Sequence, residues 1–214
     1  MEYLAFFWDI IVHLDKHLAA LLAQYGTWVY ALFFLIIFCE TGLVVTPFLP
    51  GDSLLFVGGA LWAASDMNIH ALAITIIIAA FCGDNVNYFI GRKLGPQVFR
   101  WENSRLFNRA ALDKTHAFYE KHGGKTVIMA RFIPLVRTFA PFVAGIGKMF
   151  YPHYILFSIV GSFLWVGILA YGGYFFGNVP IVKDNLSIVI AIIMIISVAP
   201  LAIEFLRAKM RPAK

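Results

Sequence analysis

Five ionisable side chains sit inside stretches that are otherwise apolar: Glu40, Asp52 and Asp84 in the first half of the chain, Arg131 and Arg137 in the second. A charge at the centre of a bilayer helix costs about 2.5–3.5 kcal/mol on insertion scales, so a group kept there is a candidate for function. Arginine stays charged in a dry site and offers a planar fork to a phosphate or carboxylate. A carboxylate takes up a proton where burial disfavours its charged form. An acidic set facing a basic set therefore has the chemistry to bind an anion and to carry a proton. The plain alternative is structural, with the opposite charges forming permanent salt bridges between segments. Asp84, within Gly83-Asp84-Asn85-Val86-Asn87, reads equally as part of the same cavity and as a locally hydrogen-bonded polar patch.

The elements that carry these groups are broken ones. Glu40 and Asp52 flank a stretch containing Pro47, Pro50 and Gly51, and Arg131 and Arg137 flank Pro134, with Pro141 following. On an unbroken helix, residues six apart point about 240° from each other. A proline break lets the two arginines converge. Gly51-Asp52-Ser53 after Pro50 reads as a helix start, whose free N–H groups favour an anion. Asp52 alternatively caps that helix, the stronger reading of this position taken alone.

The 214 residues are 61% hydrophobic and 14% charged, with a mean hydropathy of +0.79. Soluble domains are about half apolar and a quarter charged, so a soluble enzyme is excluded. The apolar residues run in blocks, Trp28 to Val45, Ile69 to Phe81, Tyr154 to Phe176 and Leu186 to Phe205, that read as bilayer segments. A net charge of +5 suggests a nucleic-acid partner only until its distribution is seen. Of seventeen Lys and Arg, eight lie between Arg92 and Lys125 and four follow Phe205. That clustering is a topology signal, placing both segments in the cytoplasm. No nucleic-acid partner is expected. No Lys or Arg precedes Lys16, so the charged region of a signal peptide is missing and insertion without cleavage is expected. Cys39 and Cys82 lie in apolar stretches as small buried hydrophobes. His70, His116, His122 and His153 fall at segment ends without paired-ligand spacing, so neither a metal nor another cofactor is assigned. No nucleophile stands beside a base, and enzyme activity is not expected.

With residues 126–147 flanked by cytoplasmic segments, that stretch must leave and return on one side, as a re-entrant hairpin does. Broken backbone at membrane depth is tolerated where it is buried in protein or lines a wet cavity. Residues 40–64 offer a counterpart, followed by a span from Ile69 to Ile90. The expected fold is an all-α polytopic membrane protein, an inverted repeat of two proline-broken re-entrant hairpins, each followed by transmembrane helices. Tyr88-Phe89-Ile90-Gly91 echoes Tyr174-Phe175-Phe176-Gly177, and the glycines spaced by four permit close helix packing. The expected divisions are an interfacial N-terminal helix over 1–25, a membrane domain over 26–205, and a basic cytoplasmic tail over 206–214. A basic amphipathic helix is expected over 106–122, on anionic headgroups. Trp28 to Leu43 reads equally as a full span or as the first arm of the hairpin, which leaves the side of the N-terminus open.

The segments Phe38-Cys39-Glu40-Thr41-Gly42, Pro47-Phe48-Leu49-Pro50-Gly51-Asp52-Ser53, Gly83-Asp84 through Tyr88-Phe89-Ile90-Gly91, and Ala130-Arg131-Phe132-Ile133-Pro134-Leu135-Val136-Arg137-Thr138 resemble the bacterial DedA family of inner-membrane proteins, which shares its core with the SNARE-associated or VTT domain. The resemblance implies two re-entrant hairpins, an inner-membrane location and essential charges at Glu40, Asp52, Arg131 and Arg137. It further implies a part in returning undecaprenyl phosphate across the membrane, in proton-dependent membrane homeostasis, or in resistance to cationic peptides.

The expected function is a translocator, linked to the proton-motive force, that moves undecaprenyl phosphate or a related anionic phospholipid toward the cytoplasmic leaflet. Arg131 and Arg137, with Ser53 and Thr138, are expected to bind the headgroup, and Glu40 and Asp52, with Asp84, to carry or gate protons. The expected partners are that lipid, protons and the bilayer; a homo-oligomer is left open. The rivals are a proton-coupled small-ion or drug antiporter, which needs no long lipid chain, and a non-transporting membrane-homeostasis protein that uses the charges only as salt bridges.

Overall fold

The computed structural model of the protein describes residues 14–43, 51–98, 123–177, 179–183, 188 and 192. The regular structure of these residues is helical: α1 Leu14–Tyr25, α2 Trp28–Gly42, α3 Gly51–Ala63, α4 Ile69–Val98, α5 Lys125–Ala130, α6 Pro134–Ile146, α7 Tyr151–Phe176 and α8 Pro180–Lys183. Pro47, Pro50, the amphipathic helix expected over 106–122, the basic tail and residues 1–13 lie outside the described residues. So does the span expected from Leu186 to Phe205, apart from positions 188 and 192.

Within α4 and α7, Ile69–Leu94 and Tyr151–Phe176 are each 26 residues long and apolar, about 39 Å at 1.5 Å per residue and enough for a hydrocarbon core of about 30 Å. Their exposed positions include Ile74, Ile78 and Phe89 on α4 and Phe163, Ile168 and Phe175 on α7. Large apolar side chains repeated along an exposed face suit lipid contact. The span read from Ile69 to Ile90 continues to Val98, because Gly91 and Gly95 in a helix cost only about 1 kcal/mol each.

The chain forms two compact units. The first comprises Met1–Leu32, Pro50–Ala73 and Val166–Lys214, the second Phe33–Leu49 and Ile74–Trp165. In the first, α1 packs on α3. The Trp62 indole N–H donates to the Tyr30 hydroxyl at 3.1 Å, which donates to the Asn68 carbonyl at 3.1 Å. Asn68 opens α4, its side-chain oxygen accepting from the main-chain N–H of His70 at 2.8 Å, as an N-cap does. α3 and the end of α7 touch at their backbones, since a Cβ on Gly59 would collide with the Ala170 carbonyl and one on Gly173 with the Phe56 carbonyl.

The second unit holds the broken helix. Residues 131–133 separate α5 from α6, and Ile133 is extended with φ −113° and ψ 107°. A residue before proline is pushed out of the helical region, and proline at the first helical position loses nothing by lacking an N–H. Pro141, expected as a further break, lies inside α6 instead. It removes only the bond that residue 141 would donate to the carbonyl of 137, a cost of about 3 kcal/mol set against packing on both sides. Ala140 and Ala144 are buried, and a Cβ on Gly145 would collide with the Tyr88 carbonyl of α4. Tyr88 and Tyr154 stack with ring centroids 4.5 Å apart, amid Val127, Ala144 and Met149.

Candidate functional site

The charges of the second unit pair across long stretches of sequence. Glu40, in the last turn of α2, forms an ion pair with Arg137 in the first turn of α6, through Oε1 and Nη2. Arg131, at the end of α5, donates from Nη1 to Asp84 Oδ2 of α4 at 2.6 Å. Glu40, Asp84, Arg131 and Arg137 are all buried, with at most 7% of any of them exposed. Two positive and two negative charges cancel, which makes their burial tolerable where each alone would be prohibitive.

Both arginines lie over one ring. The guanidinium carbons of Arg131 and Arg137 stand 5.8 and 4.9 Å from the centroid of Trp165 on α7. Those distances are within reach of a cation–π attraction. The break at 131–133 makes this convergence feasible, since a straight helix would turn the two side chains apart. α7 supplies the floor of the site through Ser158, Gly161, Ser162 and Trp165, all buried and spaced three and four apart on one helix face. The Ser158 hydroxyl donates to Asp84 Oδ2 at 2.6 Å, and the Tyr154 hydroxyl to the Asp84 carbonyl at 2.9 Å. At Gly161 a Cβ would stand 3.3 Å from Arg131 Cδ, so glycine leaves room for the arginine stem.

Asn87, one turn after Gly83 and fully buried, ties the elements together. Its Nδ2 donates to the Thr41 carbonyl at 2.9 Å and to the Thr138 carbonyl at 2.7 Å, joining the end of α2 to α6. Gly42 and Gly83 bring α2 and α4 into backbone contact beside it, a Cβ on Gly42 standing 3.2 Å from Gly83 Cα.

The sequence-predicted residues are shared between the two units. Glu40, Asp84, Arg131, Arg137 and Thr138 belong to the second unit, with Thr138 buried and held through its carbonyl. Asp52 and Ser53 belong to the first, in the opening turn of α3, where Ser53 is buried and Asp52 partly so. Gly51 is the first residue of that helix. Asp84 is not a local patch, since its partner is 47 residues away. Trp165, Ser158, Tyr154 and Asn87 were not singled out as site residues by sequence. The signal for the first two is the stripe Ser158-x-x-Gly161-Ser162-x-x-Trp165 in an apolar span. Among the described residues no three His, Cys, Asp or Glu side chains gather to hold a metal.

Comparison with known proteins places this arrangement in context. The VTT domain family matches residues 49–175. Protein DedA of Escherichia coli K12 is 56% identical over 216 aligned residues, covering 100% of this chain and 99% of its own. An uncharacterized membrane protein of Mycobacterium leprae is 48% identical over 77% of this chain and 74% of its own. The inner membrane protein YqjA of Escherichia coli K12 is 35% identical over 71% of this chain and 69% of its own. No solved structure matches.

Proposed function

This chain belongs to the VTT-domain family, the DedA family that its motifs resemble, and from that premise we propose that this membrane protein translocates an anionic lipid phosphate. Undecaprenyl phosphate is the substrate its motifs imply. The reading rests on one observation above all: two buried arginines lie over the ring of Trp165 while each is paired with a different carboxylate. The charges of these two ion pairs cancel. A phosphate monoester brings up to two negative charges and several acceptor oxygens, enough to engage both forks.

Arrival of the phosphate leaves the carboxylates in excess. Protonation of Glu40 relieves that excess and frees Arg137, so that loading and proton uptake are linked through a shared positive site. Asp52, in the first turn of the helix that opens after the first proline stretch, is the second proton-coupling group. The 15-residue α2 is about 22 Å long, short of a bilayer core of about 30 Å, which supports its reading as the arm of a re-entrant hairpin. The helix–break–helix of α5 and α6 supports the second hairpin. On this topology the basic segment after Arg92 and the C-terminus are cytoplasmic, in a bacterial inner membrane, and the protein acts as a carrier rather than an enzyme. Lys125 and Lys148, both exposed, then become accessible from the same cytoplasmic face. Single-cysteine labelling in intact cells checks this, and periplasmic labelling at either position would remove the second hairpin.

The binding claim is tested by translocation of a fluorescent polyprenyl phosphate in proteoliposomes. Arg131→Lys and Arg137→Lys keep the charge and lose the fork, so each is expected to lower flux about tenfold or more. Wild-type flux in both rules out two-point phosphate contact. Equal transport of a small inorganic anion favours the antiporter instead.

A further inference from the structure

Arg131 uses half of its fork. Nη1 makes both of its hydrogen bonds, to Asp84 Oδ2 at 2.6 Å and to the Ser158 carbonyl at 3.4 Å, while the buried Nη2 meets no acceptor among the described residues. A buried donor without an acceptor is costly, and in a native structure it calls for an explanation. Asp84, by contrast, is held fast. The oxygen that accepts from Arg131 also accepts from the Ser158 hydroxyl, and the Asp84 main chain is bound by Tyr154.

We propose that Asp84 and Ser158 form a fixed cradle that grips Arg131 by one nitrogen and leaves the other for a phosphoryl oxygen. Asp84 is then a positioning residue that stays ionised through the cycle, rather than one of the proton carriers. The two arginines acquire different tasks: Arg131 is the standing receptor, and Arg137 is the one that Glu40 releases. The groups facing this pair are Tyr154, Ser158 and Trp165 from α7, and Arg137 with Glu40 from α6 and α2. The inference deepens the lipid-phosphate reading and rests on it. The chemistry recognised is a terminal phosphate oxygen, which a lipid headgroup and free phosphate both carry.

The test is equilibrium binding to the full chain in nanodiscs across a pH series, with farnesyl monophosphate and inorganic phosphate as separate probes. Farnesyl monophosphate is expected to bind the wild type, and Ser158→Ala and Asp84→Asn to weaken it by about tenfold each, the scale of one charge-assisted hydrogen bond. Both variants are expected to keep the wild-type pH dependence, and Ser158→Thr, which retains the hydroxyl, to bind near the wild-type level. Wild-type affinity in Ser158→Ala overturns the cradle, even if Asp84→Asn fails to fold. Wild-type affinity with no pH dependence in Asp84→Asn overturns it too, making Asp84 the proton carrier. If inorganic phosphate binds as tightly as farnesyl monophosphate, with the same losses in the variants, the cradle stands and the lipid reading falls. Failure of the wild type to bind either probe overturns both.

Discussion

The molecule builds one helix crossing twice. In the first unit Gly59 of α3 faces the Ala170 carbonyl of α7 while Gly173 faces the Phe56 carbonyl; in the second, Gly145 of α6 faces the Tyr88 carbonyl of α4 while Gly91 faces the Phe142 carbonyl. In each crossing a glycine meets the carbonyl three residues before its partner's glycine, and the two helices run antiparallel. Small residues at such contacts let backbones approach where no hydrophobic force drives helices together. What differs is the turn before the contact. Asp84 precedes Tyr88 by one turn and is paired with Arg131, whereas Val166 holds the matching place before Ala170. Thr138 precedes Phe142, beside Arg137, whereas Asp52 precedes Phe56. The crossing is a scaffold common to both units, and in the second it places Asp84, with its partner Arg131, one turn away.

The largest expected contrast follows from that difference. Glu40→Ala leaves Arg137 buried without its counter-charge, which should destabilise the protein by about 3–5 kcal/mol. Asn68→Ala, which removes the side-chain cap at the start of α4 in the first unit, should cost about 0.5–2 kcal/mol. Reversible unfolding in mixed micelles measures both, and equal losses would erase the distinction between the units. Exchanging the charges, with Glu40→Arg and Arg137→Glu together, sharpens it. The double variant should recover part of the lost stability and still transport no lipid; restored transport would return the pair to a purely structural role.

Adding one methyl at the crossings should affect both units alike. Gly59→Ala, Gly173→Ala, Gly91→Ala and Gly145→Ala each force a Cβ against a carbonyl, with an expected cost of about 1–3 kcal/mol. Tolerance in one unit only would show that the crossings are not equivalent. The smallest effect compares two tryptophans. Trp165→Phe keeps a weaker ring under the arginines and should lower flux severalfold, a change of about 0.5–2 kcal/mol. Trp62→Phe removes the hydrogen bond to Tyr30, worth about 0.5–1.5 kcal/mol, and should leave flux near the wild-type level.

Much of this was legible in the sequence because charge in an apolar run is too costly to be accidental. Glu40, Asp84, Arg131 and Arg137 stand out on that ground alone, and Pro134 marks the break between α5 and α6. Partnership was not legible: Glu40 and Arg137 are 97 residues apart, and nothing local tells a carboxylate which arginine it will meet. Trp165 and Ser158 escaped because an indole or a hydroxyl in a span carries no comparable cost. The echo aligns Gly91 with Gly177, whereas the crossing aligns it with Gly173, and glycines four apart make both alignments look alike. A second echo, Phe56-Val57-Gly58-Gly59 against Phe142-Val143-Ala144-Gly145, lies at the two crossings. Pro141 misled because a helix packed on both sides survives the loss of one ladder bond.

The central claim is that lipid phosphate and a proton share one buried positive site, with Glu40 as the group that lets go. Flux of polyprenyl phosphate against pH, in proteoliposomes containing wild type, Glu40→Gln or Asp52→Asn, tests it most directly. A neutral amide still offers Arg137 an acceptor but mimics only the protonated half of the cycle. Both variants should therefore keep headgroup binding and lose the pH dependence of transport. Flux that follows the wild-type pH profile in both variants would contradict the account and leave the carboxylates as structural counter-charges.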